Sequence, residues 1–139
     1  MKIKIPLLLM IGLLTACGSE TGLQETNYEE FRDTLNTEEY TGFAYLLDSY
    51  NENEEEIDLV VEDIFNNNNE SVVFLNTFDL EEDINEQYKN EYSSVDLYFP
   101  RNKVAYLDDG EVVDEIEIDT DLHESEHNNK LGAFIQNYQ

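Results

Sequence analysis

The sequence predicts an α/β domain, a mixed sheet carrying helices on both faces. Three observations predict it. Apolar runs of strand length alternate with segments whose apolar residues fall at helical spacing, an order that builds parallel strand pairs covered by helices. A glycine turn, "DDG" at positions 108–110, has the composition of a hairpin and makes the sheet mixed. The hydrophobic fraction is 40% with 12% aromatics, which is too apolar for a disordered chain.

Each element can be justified in order. Tyr28, Phe31 and Leu35 recur at helical spacing, with Thr26 or Asn27 placed to cap. "TGFAYLLDSY" (41–50) is a continuous apolar run after a glycine, the pattern of a strand buried on both faces. Ile57, Val60, Val61, Ile64 and Phe65 then form one helical stripe, with acids opposite. Two biased runs, "NENEEE" (51–56) and "NNNN" (66–69), bracket that helix and read as a loop leading in and a loop leading out. "SVVFLNTF" (71–78) is a second strand. Leu80, Ile84 and Tyr88 mark a further helix, and the acids of its first turns suit the helix dipole. "SVDLYFP" and "KVAYL" come next, ahead of the turn. "EVVDEIEI" follows as a strand with apolar Val113, Ile116 and Ile118. Leu131, Phe134, Ile135 and Tyr138 give a closing amphipathic helix.

The first residues follow a different logic. Lys2 and Lys4 stand before an apolar run of about ten residues, 5–14. A membrane span needs roughly 20 residues, whereas a secretory signal has an apolar region of roughly 7–15. The run ends in Leu-Thr-Ala-Cys, and Cys17 is the only cysteine of the chain. These four residues resemble the lipobox of bacterial lipoproteins. The resemblance implies that the Cys17 thiol is acylated, that residues 1–16 are removed, and that the mature chain is held to membrane lipid on the extracytoplasmic face. Two or more acyl chains hold firmly where one does not, at roughly 0.8 kcal/mol per buried CH₂. The expected organisation is therefore 1–16 as signal, 17–26 as a lipidated tether without periodicity, and 27–139 as one domain.

The charge is −26, and loss of Lys2 and Lys4 takes it to −28. Such a surface repels phosphates, which excludes DNA and RNA as partners. The acids are spread along the whole chain, as in a solvated shell that keeps a domain soluble.

The order of elements over 27–138 resembles the thioredoxin-like family, a three-layer sandwich with helices on both faces of a mixed sheet. "NYEEFRDTLN", "TGFAYLLDSYNENEEEIDLVVEDIF" and "VAYLDDGEVVDEIE" carry the resemblance, and Pro100 stands near the family's proline. More residues separate Pro100 from Gly110 than in the family pattern, so the resemblance leaves open whether the bond before Pro100 is cis. The family's redox chemistry needs two cysteines where the first active-site strand meets its helix, the first activated by the helix N-terminus. The corresponding stretch here, "SYNENEE" (49–55), has no sulfur. Thiol–disulfide exchange is therefore excluded, and no cofactor is implied. What the resemblance leaves is a surface for an extracytoplasmic protein or peptide. Its loops would be 49–54 and 99–102, with Ser49, Tyr50, Asn51, Phe99, Pro100 and Arg101 as contacts and Lys103 as a further rare cation.

"HESEH" (123–127) matches H-E-x-x-H. On a helix this spacing places His123 and His127 on one face for zinc, with Glu124 as general base of a hydrolase. The flanks lack an apolar face, and no third histidine exists. "DTD" (119–121) and "LDDGEVVD" carry carboxylates without the EF-hand spacing. There is no G-x-S-x-G and no Gly-rich phosphate loop. The leading expectation is a lipid-anchored, redox-inactive binding or accessory module. A zinc hydrolase and a passive acidic surface protein are the alternatives.

Overall fold

The computed structural model describes residues 20–36, 39–48, 54–94 and 96–139. They form a five-stranded mixed sheet with four α-helices, arranged as an α/β sandwich. Strands β1 (Gly22–Glu25), β2 (Gly42–Leu47), β3 (Ser71–Asn76), β4 (Lys103–Asp108) and β5 (Glu111–Glu117) lie in the order β1-β3-β2-β4-β5. The β1, β3 and β2 strands are mutually parallel, while β4 runs antiparallel to both β2 and β5. Helices α1 (Tyr28–Leu35) and α3 (Glu82–Tyr92) pack on one face, and α2 (Glu54–Asn67) and α4 (Ser125–Asn137) on the other. This arrangement is compatible with the thioredoxin-like sandwich.

Side-chain alternation divides the core. In β2, Phe43, Tyr45 and Leu47 point to the α2 and α4 layer, while Ala44 and Leu46 point to the α1 and α3 layer. In β3, Val72 and Phe74 take the first layer and Leu75 the second. Both faces are dry, so the central strand reads as an unbroken apolar run rather than an alternating one. The helices fill the two layers with the expected stripes: Ile57, Val61, Ile64 and Phe65 from α2, Leu131, Phe134 and Ile135 from α4, and Tyr28, Phe31 and Leu35 from α1. Each such side chain contributes roughly 1.5–3 kcal/mol through burial.

The helix ends follow local chemistry. Asn27 caps α1, its side-chain oxygen accepting from the Glu30 amide at 2.8 Å. Past α2, Asn69 takes a left-handed conformation (φ 56°) and the Glu70 amide reaches back to the Phe65 carbonyl at 3.0 Å. Asparagine tolerates that conformation better than most residues, so the asparagine run stops the helix. In the β4 to β5 turn, Asp109 (φ 54°) and Gly110 (φ 82°) both have positive φ, as the tightest hairpins require.

Three differences from the sequence reading have physical causes. The expected tether 17–26 contains β1. This edge strand offers one apolar residue, Leu23, and is held instead by its ladder with β3 and by the Gly22 amide donating to Glu70. Leu80 precedes α3 rather than opening it, because a 3₁₀ turn at Thr77–Asp79 intervenes. The segment "SVDLYFP" adds no strand among its described residues and runs irregularly into Phe99 and Pro100.

Candidate binding site at the end of the central strand

The β2 strand ends at Leu47, and Asp48 follows it off the sheet. The segment that precedes β4 returns to the same point. Leu46 and Arg101 form an isolated parallel bridge, and the Asn102 amide donates to the Leu46 carbonyl at 2.7 Å. The Asn102 side chain then grips Asp48 twice. Its Oδ1 accepts from the Asp48 amide and its Nδ2 donates to the Asp48 carbonyl, both at 2.8 Å. Asn102 holds φ at 54°, a left-handed conformation uncommon outside glycine that marks an over-determined position.

The Asp48 carboxylate faces the α3 side. Its Oδ2 accepts from the Tyr88 hydroxyl at 2.8 Å, and its Oδ1 from the Thr77 hydroxyl at 3.2 Å. The single Thr77 hydroxyl proton is shared with the Leu47 carbonyl, 3.0 Å away. Arg101 Nε lies 2.8 Å from Asp48 Oδ2, with the Asp48 side chain 13% exposed and that of Arg101 39% exposed. The contact is an ion pair rather than an aligned hydrogen bond, since the Nε–H does not point at the oxygen. The guanidinium carbon sits 5.0 Å from the centroid of the Tyr92 ring, and Nη1 donates to the Tyr92 hydroxyl at 3.4 Å. That hydrogen bond and the Asp48 charge hold the Arg101 pKa above its ordinary value. Burial, followed by the hydrogen bond to Asp48, raises that of the Tyr88 phenol. At neutral pH the Arg101 guanidinium is therefore charged and the Tyr88 phenol neutral.

Around this cluster lies a cavity of about 410 Å³, walled by Phe78, Leu80, Lys89, Tyr92 and Arg101, among others. Arg101 also borders a second cavity of about 260 Å³, where Lys103 and Asn102 meet Tyr45, Leu47 and Ile57.

The expected contact residues fare differently. Ser49, Tyr50 and Asn51 lie outside the described residues. Asp48, the described residue that precedes the first expected loop, is held by Arg101 and Asn102 of the second. Arg101 borders both cavities and Lys103 the second. Phe99 and Pro100, expected as contacts, are both buried. Phe99 stacks on Tyr28 at 6.1 Å and meets Tyr88 edge-on at 5.7 Å, inside the α1 and α3 layer. No peptide bond among the described residues is cis. Asp48, Thr77, Phe78, Tyr88, Lys89 and Tyr92 were not singled out from sequence as site residues. Only Asp48 carries a local signal, as the charge that terminates an apolar run.

The H-E-x-x-H segment does not have the geometry that its spacing requires. His123 closes a 3₁₀ turn at Thr120–His123, Glu124 is extended (φ −80°, ψ 140°), and α4 begins only at Ser125. His123 and His127 are therefore not carried on one helix, and each stands 3.9 Å from a different exposed glutamate, Glu56 and Glu124. No group of three or more His, Cys, Asp or Glu among the described residues is placed to hold a metal. No helix among them is long and apolar enough to cross a membrane.

No protein-family model matches the chain, and no curated protein matches it in sequence.

Proposed function

We propose that this protein is a lipoprotein, anchored on the extracytoplasmic face through acylated Cys17, whose domain binds a protein or peptide without redox chemistry. The observation that carries the reading is the placement of the single cysteine. It follows a basic front and an apolar run, in Leu-Thr-Ala-Cys, and the remainder of the chain to Gln139 contains no sulfur nucleophile. A thioredoxin-like sheet without thiols keeps a scaffold and loses its electron chemistry. The clustering of Arg101 and Asn102 on Asp48, beside a cavity, supports binding at that end of the sheet. The zinc hydrolase reading is the weaker one, because the His123 to His127 segment breaks where a helix is needed.

Membrane fractionation with palmitate labelling tests the anchor. The wild-type chain is expected to label and sediment with membranes. Cys17→Ser is expected to lose label and to be released or left uncut. Retention of label and membrane association by Cys17→Ser would overturn the anchor. Binding is tested separately, on an array of random-sequence 15-residue peptides probed with the full chain in detergent. Saturable capture of a subset is expected, and capture of none would remove the binding role.

A further inference from the structure

The site around Arg101 stands out against the charge of the rest. Only five cations occur after Cys17: Arg32, Lys89, Arg101, Lys103 and Lys130. Arg32 is taken up by Glu29, Asp33 and Glu91, and Lys130 by Glu126. The other three gather at the end of β2. Lys89 and Arg101 wall one cavity, and Arg101 and Lys103 border its neighbour. Lys89 is exposed on α3 and makes no ion pair among the described residues.

Arg101 is oriented before anything binds. Asp48 pairs with it as an ion pair, the Tyr92 ring lies under its plane, and Nη1 makes a long hydrogen bond of 3.4 Å to the Tyr92 hydroxyl. An oriented planar guanidinium is the standard receptor for a carboxylate. Asp48 cancels part of its charge, and Lys89 supplies a second cation in the same cavity. Beside them, Phe78 and Tyr92 line the same cavity, 45% and 40% exposed. We infer that this cavity receives a carboxylate carried next to an apolar side chain on an extended peptide, the carboxylate between Lys89 and Arg101 and the apolar group on Phe78 and Tyr92. The inference rests on the binding reading above and names the chemistry of the ligand. A phosphate dianion suits the site less, because the domain's own charge of about −28 opposes it twice as strongly. That opposition fades beyond about 8 Å at physiological salt, so close contacts decide the outcome.

Saturation-transfer NMR on the full chain in detergent micelles tests this, with N-acetylphenylalanine as probe. Its neutral twin N-acetylphenylalaninamide and the cation phenethylamine serve as controls. The carboxylate is expected to saturate, binding at least fivefold more tightly than the amide, with phenethylamine giving no competition. Lys89→Gln, an exposed change that leaves the core alone, is expected to weaken the carboxylate at least threefold, and Arg101→Gln at least fivefold. Equal binding of acid and amide would overturn the proposal, as would indifference to Lys89→Gln in a chain whose folded spectrum is unchanged. Peptide-array capture that favours basic or uncharged sequences would leave the binding module standing and remove this ligand class. Capture of nothing would remove both.

Discussion

Replacing Asn102 separates what its side chain does from what its backbone demands. In the native protein the amide group makes two 2.8 Å hydrogen bonds to the backbone of Asp48, 54 residues away, while φ stands at 54°. Each net hydrogen bond is worth about 0.5–1.5 kcal/mol, and leaving a partly buried partner unsatisfied raises that toward the upper end. A left-handed conformation costs a residue bearing a Cβ about 1–2 kcal/mol, while glycine escapes that cost. Asn102→Ala loses both hydrogen bonds and keeps the conformational penalty, for an expected loss of about 3 kcal/mol. Asn102→Gly loses the same hydrogen bonds but not the penalty, for about 2 kcal/mol. Urea denaturation followed by circular dichroism reads both values. Because the same residue clamps Asp48, the ion-pair partner of Arg101, both variants are also expected to weaken carboxylate binding at the site, at urea concentrations well below the transition. A loss under about 0.5 kcal/mol in Asn102→Ala, or a glycine variant less stable than the alanine variant, would refute the clamp.

Two further outcomes follow from the packing and the phenols. Phe65 is fully buried between α2 and the sheet and meets Phe43 edge-on at 5.4 Å, so Phe65→Ala should cost about 3–5 kcal/mol, whereas Leu59→Ala, 65% exposed on the same helix, should stay within about 0.5 kcal/mol in the same urea experiment. Stability should hold from neutral pH to about 10 and then decline. Burial pushes the phenols of Tyr28 and Tyr40 up to about 12 and that of Tyr88 higher still, so each favours the folded state below its ordinary pKa of 10.0. That contribution is lost as pH rises through the raised values. Thermal melts between pH 8 and 11.5 check this, and Tyr88→Phe should flatten the alkaline slope; an unchanged slope would contradict the assignment.

The helices were legible because each buried stripe is written in one stretch at a spacing of three and four. Ile57 to Phe65 and Leu131 to Ile135 describe their own faces without knowledge of the partner. The central strand was equally legible, since a run that is apolar at every position fits a strand covered on both sides. β1 was not. Four residues with a single apolar side chain carry no period, and the strand exists because β3 offers its unpaired edge.

The candidate site divides the same way. The lone cysteine, the missing thiol pair and the scarcity of cations are properties of composition, and composition alone determined them. Which cations gather, and what holds them, was decided by tertiary structure. Asp48, Thr77, Tyr88 and Arg101 come from four separate segments and meet only when β2, the segment ahead of β4, and the α3 face pack together. Phe99 shows the converse. From sequence it is an aromatic in a loop, and only the neighbouring rings of Tyr28 and Tyr88 turn it into core. Local periodicity can report the face a residue lies on, but a charge or ring acquires its role from neighbours that the chain brings together over tens of residues.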